Sequence, residues 1–181
     1  MPADWNAVRF ELDAGVEHVE SYFLKLNDAG GQRALWLKAT ILASASRAPE
    51  AEAWSVAFDR EAGHVGAKQV VPFTSATFSR EKLDVRVAEL ELSAGRTRGS
   101  VVQGRDRIEW DLTFDASGEP LVPYPLPKMY SGPFPSQKMV TPYPDTRFSG
   151  SYRVNGREVR VERWSGMQGH NWGKRHTELY A

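Results

Sequence analysis

The sequence predicts an all-β domain, on three observations. Short runs of strand-forming residues recur along the chain at close spacing. Glycine, proline and asparagine turn signals separate them, and no long amphipathic helical pattern interrupts them. At 181 residues, 41% hydrophobic and 25% charged, the chain suits one globular domain with a real core. A closed barrel is expected rather than an open sandwich, because a meander of hairpins otherwise leaves edges to protect.

The elements follow in order. Val19–Asn27 and Arg33–Ala43, separated by Asp28-Ala-Gly-Gly31, read as an antiparallel hairpin. Ala53–Arg60 alternates Trp54, Val56 and Phe58 with Ser55, Ala57 and Asp59, and the aromatic set is expected to face inward. A turn at Glu61–His64 leads to a partner strand, Val65–Phe73. Ala76–Ser79, Leu83–Val87, Ala88–Ser93 and Arg96–Gln103 are shorter strands. Arg107–Asp115 shows the cleanest alternation, with Ile108, Trp110, Leu112 and Phe114 on one face.

Eight of the eleven prolines then fall between Pro120 and Pro144, mixed with aromatics and methionines. Proline argues against a helix interior or central strand here, and the aromatics argue against disorder. An ordered, extended segment over about 119–145 is expected, with a brief turn near Leu126–Ser131. Arg147–Val154, Asn155-Gly156 and Arg157–Trp164 give the strongest hairpin signal, since Asn-Gly suits a type I′ turn.

Composition narrows the function. Lys+Arg and Asp+Glu number 23 each, so the chain carries no electrostatic footprint for nucleic acid. The absence of cysteine excludes disulfides, thiolate metal sites and a cysteine nucleophile. No apolar run reaches membrane-spanning length, and Met-Pro-Ala-Asp-Trp-Asn has no secretory apolar core. A cytoplasmic location is the expectation. Neither a phosphate loop, a dinucleotide fingerprint nor a nucleophile elbow is present, so no cofactor is expected.

One stretch concentrates chemistry. Trp164–His176 holds two of the four histidines, two of the six tryptophans and three glycines, Gly166, Gly169 and Gly173. Glycines there are expected to break strand rhythm and make a site-like loop. His170 is the best general acid or base, with Asn171 to orient a polar group and His176 in support; a structural role, such as an imidazole bonding a backbone carbonyl at the barrel rim, is the equal alternative. His170, His176 and an acid such as Glu178 are too few and too irregularly spaced to specify a metal, so none is expected. Trp36, Trp54, Tyr22 and Trp172, with Lys38 and Lys68, are the residues that would line a ligand cavity. Tryptophans in such places are more often core than ligand wall, and the lysines more often belong to a solvated outer face.

At Gly166-Met-Gln-Gly-His-Asn-Trp-Gly173 the chain resembles the two-domain, lipocalin-like family of carotenoid hydratases (hydroxyneurosporene synthases), AttH-like proteins and, more remotely, tocopherol cyclases. His170-Asn171-Trp172-Gly173 matches the family's His-Asn-Trp-Gly signature near the end of the first β-domain. Glu20-Ser-Tyr-Phe-Leu, Ala34-Leu-Trp-Leu-Lys and Pro144-Asp-Thr-Arg-Phe-Ser-Gly150 look like its uncharacterised bacterial branch. The resemblance implies a lipocalin-like (calycin) barrel over residues 1–181, the N-terminal half of a longer two-barrel protein. The strand-like end at His176–Ala181 agrees with a second barrel as partner.

It also implies a cofactor-independent hydratase or cyclase acting on an isoprenoid, with a non-catalytic carrier of an apolar ligand or a docking domain as alternatives. The hydratase pattern has an acidic residue directly before the histidine, where this chain has Gly169.

Overall fold

Turn chemistry and alternation together place eleven strands in one antiparallel sheet. The computed structural model describes residues 4–12 and 17–174. The strands are β1 (His18–Asn27), β2 (Arg33–Ser44), β3 (Arg47–Asp59), β4 (Val65–Pro72), β5 (Thr77–Phe78), β6 (Asp84–Val87), β7 (Leu90–Ser93), β8 (Arg96–Gln103), β9 (Asp106–Phe114), β10 (Gln137–Val154) and β11 (Arg157–Gly173). One short helix, α1 (Lys128–Ser131), lies where the brief turn was expected.

The order is β4-β3-β2-β1-β11-β10-β9-β8-β7-β6-β5. β1 pairs with β11 in the interior of that order, and the sheet curls into the expected lipocalin-like barrel so that β4 approaches β8. Along the closing seam, side-chain amides do the work of a ladder. Gln103 Oε1 accepts from Lys68 N at 2.8 Å, and Gln69 Oε1 accepts from Val102 N at 3.4 Å.

The Asn155-Gly156 turn has positive φ at both residues, 52° and 87°, as a type I′ turn requires. The strands it joins are far longer than expected. The glycine-rich stretch up to Gly173 is not a loop but the continuation of β11, because its glycines answer crowding rather than flexibility. A Cβ on Gly169 would enter the Phe23 ring on β1, and one on Gly166 would meet the Lys25 carbonyl. Pro142 and Pro144 likewise lie inside β10, which is central in the sheet. They are tolerated because β9 pairs only with Phe148–Val154, leaving the first half of β10 edge-like, and the β10–β11 register shifts around Tyr143.

The inward face of β3 also differs from expectation. Ala51, Ala53, Ser55 and Ala57 are buried inward, whereas Trp54, Val56 and Phe58 face outward. Facing them across β2 are the larger Leu35, Leu37 and Ile41, all buried, so large and small residues interdigitate. Leu24, Leu26, Ile108, Leu112, Phe148 and Tyr152 complete a filled interior, each worth roughly 1.5–3 kcal/mol of burial. Between Tyr22, Leu37, Ala39 and Leu90 the crevice is too small to hold a water molecule.

Candidate functional site at the barrel mouth

Period-two geometry places His18, Glu20 and Tyr22 of β1 on the inward face. On β11, Gln168, His170 and Trp172 share that face, with His170 opposite Tyr22 and Trp172 opposite Glu20. The N-terminal segment, residues 4–12, crosses this end of the barrel. Val8 N bonds Ser79 O at 2.9 Å, and Arg80 Nη2 donates to Phe10 O at 3.2 Å.

At the centre is Glu20, wholly buried and surrounded by donors. Its Oε1 accepts from His170 Nε2 at 2.8 Å, Tyr22 OH at 3.0 Å and Arg9 N at 2.9 Å. Its Oε2 accepts from His18 Nε2 at 2.9 Å and Arg9 N at 3.1 Å. Burial alone would push this carboxyl up. The hydrogen bonds from His170 and His18, the charge on His170 and the Arg9 amide outweigh burial and hold it at about 2. Burial, then the charge of Glu20, pushes the Tyr22 phenol well above its ordinary value.

His170 is equally enclosed. Its Nδ1 lies 2.6 Å from Trp5 O, an atom that only accepts, so Nδ1 carries a hydrogen. Ionised Glu20 also only accepts, so Nε2 carries one too, and the ring is an imidazolium. It stacks on Tyr22 at 4.2 Å and lies 4.8 Å from Trp172. Both ring nitrogens are committed, and no edge reaches solvent.

Beside this network opens a cleft of about 550 Å³, bordered by Trp5, Arg9, His18, Tyr130, Lys138 and Trp172. The proline-rich segment supplies one wall. Tyr130 OH accepts from Tyr124 N at 2.7 Å, which folds the segment over the barrel end. Its ring then meets Trp5 edge-on at 5.0 Å and lies 6.4 Å from Trp172. The Arg9 guanidinium sits 5.3 Å over Trp172.

The residues marked by the sequence divide among three places. His170 and Tyr22 are in the closed network, and Trp172 stands between network and cleft. Asn171 points to the other face, opposite Ser21 and Met139. Trp36, Lys38, Trp54 and Lys68 form an outer-face ladder on β2–β4. There Lys68 Nζ lies 4.8 Å over Trp54 and 3.1 Å from Glu52 Oε1, and burial depresses Lys38 despite Glu52. His176 lies outside the described residues.

Sequence reasoning missed Glu20, His18, Arg9 and Trp5. Glu20 carried a signal, being an acid in phase with Tyr22, Leu24 and Leu26. Trp5 and Arg9 carried none, because their docking is non-local. Among the described residues no group of three His, Asp or Glu is placed to share a metal ion, and no helix is long and apolar enough to cross a membrane.

No protein-family profile matches the chain, and no curated protein is recognisably similar in sequence. Solved structures do resemble it in fold. A candidate AttH from Nitrosomonas europaea matches with a TM-score of 0.62 at 16% identity, over 98% of this chain and 58% of that one. CghA solved with Sch210972 matches with a TM-score of 0.51 at 14% identity, over 93% and 52%. CghA alone gives 0.51 at 13%, over 96% and 52%. The chain therefore spans little more than half the length of these structures, and what it shares with them is a lipocalin-like, AttH-type barrel fold.

Proposed function

We propose that this chain is a lipocalin-like binding domain that holds an apolar small molecule of isoprenoid type against the aromatic wall of the barrel-mouth cleft. The observation that carries the reading is the pairing of a filled interior with an open cleft walled by Trp5, Tyr130 and Trp172. Its volume falls within the ~300–1,000 Å³ of small-molecule sites. A binder is favoured over a hydratase or cyclase by the state of the network. Protonating an alkene needs an acid that carries its proton and reaches the substrate, and Glu20 is held ionised at neutral pH. His170, buried with both nitrogens committed, has no path to a substrate.

Retinol, an isoprenoid polyene that quenches indole fluorescence, tests this directly. Saturable quenching is expected, weakened at least tenfold by Trp172→Ala and unchanged by Trp54→Ala on the outer face. Absence of saturable binding would sink the reading. Turnover of an isoprenoid alkene, lost in His18→Gln, would replace it with catalysis, since His18 borders the cleft and is linked through Glu20 to His170.

For the outer-face ladder we assign a second β-barrel domain as partner. Phe58 and Val70 are 36% and 46% exposed there, and Trp36 Nε1 is buried without a hydrogen-bond partner among the described residues. Phe58→Lys with Val70→Lys should lower the binding of an apolar dye to the 181-residue chain. Unchanged dye binding would count against the assignment.

A further inference from the structure

The cleft that carries the binding reading is not electrically neutral. Among the described residues Arg9, Lys138 and Lys174 border it, against the single carboxylate of Glu17, while His18 is turned to Glu20. Two of these cations are held in unusual ways. Lys138 is only 7% exposed, yet its Nζ makes one hydrogen bond, to Pro135 O at 2.6 Å, and meets no carboxylate among the described residues. Burial, reinforced by Lys174, lowers its pKa, as expected of an ammonium lacking a counter-ion. Arg9 donates through Nη2 to Asp4 O at 3.1 Å, and its buried Nε has no partner among the described residues. Glu20 does not neutralise that guanidinium, because it is engaged by the Arg9 backbone amide instead.

A buried cation normally has an anion beside it. Here the cations flank an aromatic wall and face open space. We propose that the ligand of this cleft carries a carboxylate head, held by Lys138 and the remaining donors of the Arg9 guanidinium, with its apolar body against Trp5, Tyr130 and Trp172. The inference rests on the reading of the cleft as a binding site and adds the class of ligand. A guanidinium presents paired N–H donors that match a carboxylate's two oxygens, and a partly desolvated ammonium strengthens its attraction. An alcohol head gains neither.

Retinoic acid and retinol share a polyene body and differ in the head group. With the full chain at pH 7.5, retinoic acid should bind at least tenfold more tightly than retinol. Raising salt from 50 to 500 mM should shrink that preference and leave retinol binding unchanged. Arg9→Gln with Lys138→Gln should bring the two affinities together at the retinol value, and intact retinol binding would show that the variant folds. Should the double variant fail to fold, Lys138→Gln alone and the salt series carry the test. Equal binding of acid and alcohol by the native chain, or a preference that survives both the substitutions and the salt, overturns the carboxylate inference and leaves the binding site standing. Failure of both retinoids to bind overturns the two together.

Discussion

Two carboxylates anchor opposite ends of the barrel, and they are built differently. Asp59, at the end of β3, accepts from Arg33 Nε and Arg157 Nη2, both at 2.9 Å, and from the amides of Glu61 and Ala62 at 2.9 Å. The Ala62 amide, then Arg33, the Glu61 amide and Arg157, hold its carboxyl well below the usual range. Both arginines stay substantially solvated, with side chains 38% and 50% exposed. Glu20 has comparable partners but no solvent at all, and its charge is met by His170, which is also sealed. Asp59 ties the β3 end to the β10–β11 hairpin at a wet rim. Glu20 fastens the N-terminal segment into a dry barrel end and so fixes Trp5 and Arg9 as walls of the cleft. On the proposed binding reading, the buried acid–histidine pair beside the cleft serves as a scaffold.

Removing the buried charge gives the largest expected effect. Glu20→Gln leaves the His170 imidazolium without its counter-ion, which costs about 3–5 kcal/mol. For a chain of this size that lowers the melting temperature by on the order of 10 °C. Glu20→Leu with His170→Phe, removing both charges, should recover much of the loss in a thermal melt. If Glu20→Gln melts within 2 °C of wild type (about the shift of 1 kcal/mol) the pair is not the fastener described.

Acid supplies the next test. The Glu20 carboxyl is held at about 2 against an ordinary value of 4.5, so its stabilisation is fully present above about pH 4.5 and disappears as pH falls toward 2. The shift corresponds to about 3 kcal/mol, of which about 2 is gone by pH 3. In denaturant titrations, the stability gap between wild type and Glu20→Gln should therefore narrow from pH 5.5 to pH 3. A gap that stays constant contradicts the depressed carboxyl.

How much of this could be read from the sequence turns on parity. The β1–β2 and β10–β11 hairpins were legible because Gly-Gly and Asn-Gly state their turns locally. The inward phase of β11 was not. Val159 and Val161 face inward on odd positions, but Trp164, Gln168, His170 and Trp172 do so on even ones. The switch occurs at Glu162–Arg163, where two residues oppose Ser149 alone and Arg163 takes φ +52°. No composition signal marks that bulge. On β3, alternation was read correctly but its sign was not, because the interior beside Leu35 and Leu37 has room only for alanine and serine. His170 stood out by its neighbours in sequence. Its partners come from β1 and the N-terminal segment, contacts that no local pattern encodes.

Gly169 lies between network and ladder and gives an intermediate effect. Phe23, its cross-strand partner, lays its ring over the glycine where a side chain would otherwise stand. Gly169→Ala should cost about 1–3 kcal/mol by forcing that ring aside. In the Phe23→Ala background the same substitution should cost less, with a coupling of at least ~0.5 kcal/mol in a double-mutant cycle. Equal costs in both backgrounds would mean that the ring is not what excludes a Cβ.

The smallest effect is expected at the solvated end. Asp59→Asn keeps the Oδ1 acceptor for the Glu61 and Ala62 amides and replaces Oδ2, which accepts from Arg33 and Arg157, with an amide nitrogen that cannot accept. Those guanidinium groups already contact water and can take back their hydration, so no buried charge is stranded. The remaining Coulomb attraction is open to mobile ions. The melting-temperature difference between wild type and Asp59→Asn should therefore be smaller than that of Glu20→Gln and should shrink between 50 and 500 mM salt. The Glu20→Gln difference should hardly move, because ions do not enter a sealed pair. If both differences respond to salt alike, the two carboxylates share one environment, and the N-terminal segment does not keep the Glu20 end dry.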